Sequence, residues 1–186
     1  MRLFLAIDLP DNIKEKIDKQ LFHLKKQYPD FAWVPKENFH ITLFFYGETD
    51  KLEKIKKKIK DLIYDSSPFY LYTRNVGLFF NEKIVIYLGF EREKKLEKLA
   101  SKINYYFTPI YKKYTNPQKI KNFIPHLTLA RYKIPSKQQY LHLKKKLEKI
   151  DIRVSFIVKK ITLYQSLLGG KKPIYKKLAT FSLLDK

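Results

Sequence analysis

The stretch FHITL at residues 39–43 returns as PHLTL at residues 125–129. Both stretches contain, in order, a histidine, an aliphatic residue, a threonine and a leucine. Because side chains alternate between the two faces of a strand, the histidine and the threonine of each stretch project to the same face. Each stretch therefore predicts a strand that presents an imidazole and a hydroxyl on one face and aliphatic side chains to a core.

The segments on either side of these stretches follow one order of elements twice. Apolar periodicity and turn residues predict a strand, a helix, a histidine-bearing strand, a helix and further strands over about residues 1–80, and again over about residues 84–183. Helices and strands mix without the regular alternation that a parallel sheet requires. We therefore expect an α+β fold in one bilobal domain over residues 1–186. Its lobes would be related by a pseudo-two-fold axis, with antiparallel sheets lining a central cleft and helices outside.

Two of the expected helices have recognisable boundaries. Apolar residues recur on one helical face after Pro10 and as far as Leu24, which predicts a helix behind the first strand. Ser136 stands where it can cap the helix that follows the second histidine-bearing strand.

An approximate two-fold axis would bring the polar faces of the two strands together across one cleft. The cleft would hold two imidazoles, His40 and His126, and two hydroxyls, Thr42 and Thr128. Since the ordinary pKa of imidazole is about 6.5, a facing pair can remove one proton and deliver another near neutral pH. Threonine hydroxyls donate hydrogen bonds to oxyanions, which favours a phosphodiester, and above all a strained cyclic one, as the substrate.

Chance and metal binding are the alternative explanations of these residues. A single histidine on a strand is most often structural, and one His-x-Thr stretch occurs by chance in many proteins. Here two such stretches at matching places use two of only four histidines. We expect His23 and His142, which stand beside apolar residues on predicted helices, to be structural. No third histidine, cysteine or carboxylate accompanies either stretch, so we expect neither a metal nor another cofactor.

Two further residues are candidates for substrate binding. Arg131, five residues after His126, could bind phosphate, but strict alternation puts it on the opposite face unless the strand twists, bulges or ends. Phe44 has the parity of His40 and could stack on a nucleobase, although an aromatic residue on a strand is more often in the core. The tyrosine- and lysine-rich segment over about residues 105–121 has the composition of a single-stranded RNA site, and equally that of an ordinary basic loop.

The charge balance points to a polyanionic partner. The chain has 39 Lys and Arg against 18 Asp and Glu, a formal net charge of +21. Nucleic acid is the first candidate, although a solvated lysine-rich surface explains the excess equally well. The absence of cysteine excludes disulfides, thiolate nucleophiles and cysteine zinc sites, and makes the cytoplasm the expected location. The apolar run at residues 3–7 is too short for a membrane span or a signal peptide.

Several segments together resemble the 2H phosphoesterase superfamily with its paired HxTx motifs. The resemblance rests on MRLFLAIDLP (residues 1–10), ENFHITL (37–43) followed by Gly47, PHLTLAR (125–131) and LYQS (163–166). Within the superfamily the chain is most similar to the RNA 2′,3′-cyclic phosphodiesterases, long called 2′-5′ RNA ligases. The resemblance implies a bilobal α+β fold and the hydrolysis, without a metal, of a terminal RNA 2′,3′-cyclic phosphate to a 2′-phosphomonoester.

The resemblance also implies roles and partners. His40 would donate a proton to the departing 3′ oxygen and His126 would accept one from water, while phosphate would be held by Thr42, Thr128 and Arg131. From the residues alone donor and acceptor cannot be told apart, because the two stretches are alike. The partners would be RNA or tRNA fragments with cyclic phosphate ends, with no membrane and no obligate protein partner. A 5′-hydroxyl in place of water would give reversible, ATP-independent 2′-5′ ligation. The alternative is a non-catalytic single-stranded RNA-binding module.

Overall fold

The computed structural model describes residues 1–80, 83–111, 123–133, 136–170 and 172–184. The strands in these ranges are β1 (Arg2–Asp8), β2 (Ala32–Trp33), β3 (His40–Glu48), β4 (Phe69–Phe80), β5 (Ile84–Phe90), β6 (His126–Tyr132), β7 (Ser155–Val158), β8 (Lys160–Leu167) and β9 (Ile174–Ser182). The helices are α1 (Asp11–Gln20), α2 (Phe22–Gln27), α3 (Leu52–Ile63), α4 (Lys94–Phe107) and α5 (Lys137–Leu147), and a 3-10 turn over Lys36–Asn38 precedes β3.

The strands form one antiparallel sheet in the order β7-β4-β5-β6-β3-β1-β8-β9, with β2 paired to β6 beside that order. The seam between β6 and β3, where Leu127 pairs with Ile41, divides this order into two equal parts. We call β3, β1, β8 and β9 the His40 half, and β6, β5, β4 and β7 the His126 half. The expected α+β fold, with two related lobes of antiparallel sheet, is confirmed.

The first stretch of chain contributes one strand, β4, to the His126 half, and the second contributes two strands, β8 and β9, to the His40 half. β4 follows β1 and β3 in the chain but pairs with β5 of the His126 half. β8 follows β5 and β6 but pairs with β1 of the His40 half. In both stretches the chain therefore crosses to the other half of the sheet after its histidine-bearing strand. Neither stretch alone builds one half of the sheet. The internal duplication over about residues 1–80 and 84–183 stays a prediction.

The helices contact the sheet through one apolar face each. In α3, Ile55, Ile59 and Ile63 are buried at the three- to four-residue spacing that places side chains on one side of a helix. α4 packs against β3, and α5 packs against β4. Most buried side chains of both halves belong to one core that includes Ile41 and Leu127 at the seam, and Phe4, Ala6 and Tyr164 form a separate small cluster. Burial of such a side chain is worth about 1.5–3 kcal/mol, so this core holds the two halves together.

The helix boundaries agree with the sequence at one place and differ at another. The helix expected after Pro10 is divided into α1 and α2 at Leu21, where the Leu21 N–H is shared between the carbonyls of Ile17 and Asp18. The capping role of Ser136 is confirmed, because its hydroxyl accepts a hydrogen bond from a main-chain N–H in the first turn of α5 at 3.2 Å. None of the helices in the described ranges is long and apolar enough to cross a membrane.

Candidate active site

The polar side chains of the two repeated stretches lie on one face of the sheet at its seam. Ile41 and Leu127 pair across the seam and are buried. Their neighbours along each strand point to the opposite face and are partly exposed; they are His40, Thr42, His126 and Thr128. In an antiparallel pair, this register sets the histidine of each strand across from the threonine of the other. The structure therefore brings the four residues together.

The electrostatics of His40 indicate how close its neighbours are. Burial lowers its pKa from 6.5 to about 4. The hydrogen bond to the Asn38 carbonyl and the charge of Asp8 oppose this fall, whereas the positive charges of Arg131 and His126 add to it. Arg131 and His126 both belong to β6, so charges from the His126 half act directly on an imidazole of the His40 half. The rings of His40 and His126 therefore lie within electrostatic reach of each other.

Each histidine is oriented by the carbonyl oxygen two residues before it. Nδ1 of His40 lies 2.7 Å from the Asn38 carbonyl oxygen. Nδ1 of His126 lies 2.8 Å from the Ile124 carbonyl oxygen. A carbonyl can only accept, so Nδ1 carries the hydrogen in each neutral ring and Nε2 is the basic atom. In both imidazoles, Nε2 is therefore the atom that can exchange a proton with a ligand.

Aromatic rings surround His40. The ring centroid of Phe4 is 4.9 Å from that of His40, and Tyr175 meets His40 edge-on at 5.2 Å. Tyr164 lies further away, at 6.4 Å, and stacks on Phe4 at 5.1 Å. These contacts exclude water from one side of the imidazole, which is the physical reason for the fall in its pKa.

Two ion pairs of Asp8 stand next to this aromatic group. Asp8 lies opposite His40 in the β1–β3 register, and its carboxylate accepts from Lys14 at 2.7 Å and from Lys177 at 2.6 Å. Burial raises the pKa of Asp8, but the hydrogen bonds from the two lysines more than offset it and hold the pKa below its usual value. Burial, reinforced by the charge of Asp8, raises the pKa of Tyr164 far above its usual value. Asp8 therefore stays ionised near the cleft.

The surroundings of His126 are aromatic but carry a different set of residues. Phe79 meets His126 edge-on at 5.0 Å, and Tyr87 does so at 5.9 Å. The rings of Phe79 and Tyr87 stack on each other at 4.0 Å. In the β5–β6 register the residue opposite His126 is Gly89. The counterpart of Asp8 is thus a residue without a side chain.

A β-bulge in β6 brings Arg131 to the face of His126. Ile86 and Tyr87 are consecutive on β5, but they pair with Ala130 and Thr128, which leaves Leu129 as an extra residue. Both Leu129 and Ala130 are buried as a result, and Arg131 is exposed on the side of the cleft. From the sequence, a bulge was one way in which Arg131 could reach this face, and the bulge is present. It puts Arg131 within electrostatic reach of His40.

The equivalent bulge in β3 makes the prediction for Phe44 wrong. Leu5 and Ala6 are consecutive on β1 but pair with Phe44 and Thr42, so the parity of β3 changes after Thr42. Phe44 is 3% exposed and packs in the core, with its ring 5.6 Å from that of Phe107. Phe45 takes the cleft side instead, 40% exposed and 5.4 Å from Phe4. Phe44 therefore has no surface on which a nucleobase could stack.

The remaining residues considered in the sequence analysis lie away from the two catalytic-candidate histidines or outside the residues that the structure describes. His23 on α2 and His142 on α5 are exposed on helices. In the tyrosine- and lysine-rich segment, Tyr105 is 85% exposed and Tyr106 is 38% exposed. Tyr111 of this segment packs against the core. The further members of the segment lie outside the described residues; they are Lys112, Lys113, Tyr114, Lys119 and Lys121. Among the described residues, no group of three His, Cys, Asp or Glu side chains is placed to hold a metal ion.

Several residues beside His40 were not assigned to the site from the sequence. Asp8 and Phe4 lie on β1, which pairs directly with β3, and Tyr164 lies on β8, which pairs with β1. Alternation along β1 would have placed Phe4 and Asp8 on one face, but nothing in the sequence says that this face adjoins His40. Tertiary pairing supplies that information.

Comparison with known proteins identifies relatives over nearly the whole chain. The model of the 2′-5′ RNA ligase superfamily matches residues 10–170. The RNA 2′,3′-cyclic phosphodiesterase of Methanocaldococcus jannaschii is 36% identical over 181 residues, which cover 95% of this chain and 97% of the relative. The RNA 2′,3′-cyclic phosphodiesterase of Archaeoglobus fulgidus is 32% identical, with 97% and 99% covered.

Solved structures that share the fold also cover nearly the whole chain. TT0787 of Thermus thermophilus superposes with a TM-score of 0.74 at 27% identity, covering 98% of both chains. LigT of E. coli in its apo form superposes with a TM-score of 0.69 at 26% identity, covering 99% of this chain and 98% of LigT. The motifs, the strand order and these relatives agree: the chain belongs to the 2′-5′ RNA ligase superfamily.

Proposed function

We propose that this protein hydrolyses the 2′,3′-cyclic phosphate at the end of an RNA strand to a 2′-phosphomonoester, with His40 and His126 as acid and base. The observation that carries the proposal is the pair of imidazoles on neighbouring antiparallel strands, close enough for the charge of His126 to lower the pKa of His40. The names of the two relatives, both RNA 2′,3′-cyclic phosphodiesterases, support the choice of substrate.

The reaction uses each histidine once. Nε2 of His126 accepts a proton from water as the water oxygen forms a bond to phosphorus. The bond from phosphorus to the 3′ oxygen breaks, and Nε2–H of His40 gives its proton to that oxygen. The products are a 3′-hydroxyl and a 2′-phosphomonoester, and proton exchange with solvent restores both rings. General acid and base catalysis of this kind contributes about 10²–10⁴-fold each.

A proton donor at His40 requires the bound substrate. In the free site burial lowers the pKa of His40 to about 4, so the ring is neutral at pH 7. A phosphodiester anion beside the ring stabilises the imidazolium and raises its pKa, and the carboxylate of Asp8 acts in the same direction. Substrate binding and protonation of His40 are therefore coupled, which keeps the acid from forming in an empty site.

The phosphate oxygens are bound by the hydroxyls and the guanidinium beside the histidines. Thr42 and Thr128 stand across from the two histidines and can donate to the non-bridging oxygens. Arg131 adds a positive charge on the same face and can bind phosphate with two N–H groups. These groups oppose the charge that builds on phosphorus oxygens in the transition state. We propose that no metal and no other cofactor takes part.

The same site supports a second reaction, and the family description of 2′-5′ RNA ligases favours it. If the 5′-hydroxyl of another strand replaces water, His126 takes the proton from that hydroxyl and the 3′ oxygen leaves as before. The product is a 2′-5′ phosphodiester bond, formed without ATP because the strained ring supplies the free energy.

The test is an incubation of the protein with an RNA oligonucleotide that ends in a 2′,3′-cyclic phosphate, in the presence of EDTA. A matched oligonucleotide with a 3′-phosphate is the control. We expect the ring to open to a 2′-phosphate and the control to remain unchanged. A 3′-phosphate product would contradict the assignment of the leaving oxygen, and activity that appears only after a metal is added would contradict metal independence.

A non-catalytic RNA-binding module is the competing interpretation. It predicts salt-dependent binding of RNA, with no ring opening under any condition and little dependence on the two histidines. Absence of ring opening with and without divalent metals would favour it over the enzyme.

A further inference from the structure

The proposed reaction fixes the side of the cleft on which the RNA strand lies. In an in-line displacement the attacking and leaving oxygens stand on opposite sides of phosphorus. When His126 activates water and His40 protonates the 3′ oxygen, the ribose that bears this oxygen lies toward His40. A cyclic phosphate ends the strand at its 3′ side, so every other nucleotide continues from that ribose in the 5′ direction. The strand must then leave the cleft over the His40 half.

A row of three side chains crosses the His40 half at this place. Leu3 pairs with Gln165, which puts Arg2 of β1 level with Ser166 of β8, and Ser166 pairs with Tyr175 of β9. Neighbouring strands are about 4.8 Å apart, so the main chains of Arg2 and Tyr175 are about 10 Å apart. The small side chain of Ser166 is buried between them. Two long side chains can therefore converge above it.

Tyr175 connects this row to the proposed acid. Its ring is partly exposed, meets His40 edge-on at 5.2 Å and contacts Phe4 at 4.9 Å. Burial raises the pKa of Tyr175, and the positive charges of Arg131 and Arg2 lower it in part. One of these arginines lies on each half of the sheet, so positive charges from both halves act on Tyr175.

Arg2 is exposed at the start of β1 and is available to a ligand. Among the described residues, no ion pair of Arg2 is seen. Glu48 stands opposite Arg2 on β3, but its carboxylate pairs with the N-terminal amine at 3.4 Å. Nothing described in the fold requires a guanidinium at this position.

The His126 half is arranged differently at the corresponding place. The rings of Phe79 and Tyr87 stack on each other, and Tyr87 covers Gly77 so closely that an added Cβ would lie 2.6 Å from its ring. A groove of about 610 Å³ lined in part by Tyr72 and Arg74 lies elsewhere on this half, and it is the competing path for the strand.

Resting on the proposed function, we propose that Arg2 and Tyr175 bind the nucleotide step next to the cyclic phosphate. Tyr175 contacts the terminal nucleoside, and Arg2 binds the internucleotide phosphate on its 5′ side. A guanidinium suits this task because its N–H groups match the oxygens of a phosphate, and an aromatic ring accepts any base. The site would distinguish an RNA end from a free cyclic nucleotide without reading its sequence.

The experiment compares kcat/KM for a nucleoside 2′,3′-cyclic phosphate, which has no internucleotide phosphate, with kcat/KM for a dinucleotide with the same end. In the wild type the dinucleotide is the better substrate. Arg2→Gln lowers the ratio of dinucleotide to nucleoside about tenfold, the effect of one lost phosphate contact. Tyr175→Ala lowers kcat/KM for both substrates, and Tyr175→Phe, which keeps the ring, retains most of it.

Arg74→Gln and Tyr72→Ala are the matched controls, because they remove the same side-chain types from the groove on the His126 half. Neither changes the ratio if the strand leaves over the His40 half. A ratio that falls with Arg74→Gln and stays constant with Arg2→Gln overturns the proposal and assigns the strand to the other half.

Failure of the proposed function is recognised separately. A wild-type protein that opens neither substrate refutes the reaction, and the site is then tested by fluorescence anisotropy with a hexanucleotide that carries a 2′-phosphate. Weaker binding by Arg2→Gln than by Arg74→Gln supports the site. Equal binding by both variants and the wild type overturns it.

Discussion

The two halves of the sheet present the same pair of side chains to the cleft but surround them with different residues. On the His40 half, Asp8 stands opposite the histidine and is held ionised by two lysines. On the His126 half that position is Gly89, where a Cβ would lie 3.3 Å from the Asn75 carbonyl oxygen. A carboxylate beside an imidazole favours the imidazolium, and a glycine contributes no charge.

This difference turns a symmetric motif into an asymmetric pair of residues. Two identical histidines could exchange roles freely, and a cleft with an exact two-fold axis would have no preferred direction for the RNA. The negative charge of Asp8 favours the imidazolium that a proton donor at His40 requires, whereas the aromatic residues that bury the ring disfavour it until an anionic substrate binds. The division of labour in which His40 is the donor and His126 is the acceptor stays a prediction. The predictions below test that division.

The largest expected effect comes from removing either imidazole. His40→Ala and His126→Ala should each lower kcat by about 10²–10⁴-fold, because each variant lacks one proton-transfer group. Replacing the 3′ oxygen of the cyclic phosphate by sulfur separates the two roles, since a thiolate leaves without needing a proton. We expect the sulfur substrate to restore most of the activity of His40→Ala and little of that of His126→Ala. Rescue of His126→Ala alone would reverse the assignment.

The bulges on the two histidine strands predict the next largest effect. Phe44 is buried against Phe107 and Phe45 is exposed on the cleft side. Phe44→Ala should lower the free energy of unfolding by about 3–4 kcal/mol, the cost of a cavity in the core. Phe45→Ala should change it by less than about 1 kcal/mol. Urea denaturation measures both values, and a larger loss for Phe45→Ala would place the bulge elsewhere.

The pH dependence of stability tests the environment of His40. Its pKa is about 4 in the folded protein and about 6.5 when unfolded, so between these values the unfolded chain binds more protons. The contribution of this residue is complete above pH 6.5 and is lost as the pH falls toward 4, by at most about 3 kcal/mol. Denaturation at a series of pH values should show a smaller loss in His40→Gln than in the wild type.

A matched substitution on the surface controls for the removal of an imidazole as such. His142 lies exposed on α5, so His142→Gln should leave the slope of stability against pH in that range at its wild-type value. An unchanged slope in His40→Gln would mean that His40 is solvated in the folded protein.

The face that carries the histidines and the threonines was predictable because strand periodicity is a local property. Two side chains separated by one residue share a face wherever the strand is regular, so the grouping of each histidine with its threonine followed from the sequence. The same rule was wrong for Phe44 and left Arg131 undecided, because one extra residue in each strand reverses the parity beyond the threonine. The bulges occur inside runs of consecutive apolar residues, where alternation carries no information.

The long-range pairings were not predictable from pattern. Repetition of the element order suggested two lobes, but it did not reveal that β4 joins the His126 half while β8 and β9 join the His40 half. That exchange puts Tyr164 and Tyr175 beside His40, and Phe79 beside His126. The His40 half is therefore built from the two ends of the chain, and the His126 half from its middle.

The amino-acid sequence alone determined which groups are available for chemistry: two imidazoles, two hydroxyls, a strongly basic surface and no thiol. It did so because residue type and local periodicity are written directly in the order of side chains. Only the tertiary structure decided how the two imidazoles differ, since burial, the carboxylate of Asp8 and the aromatic neighbours of His40 arise from strands far apart in the chain. A pKa depends on the solvent and charges around a group, and those are properties of the folded protein.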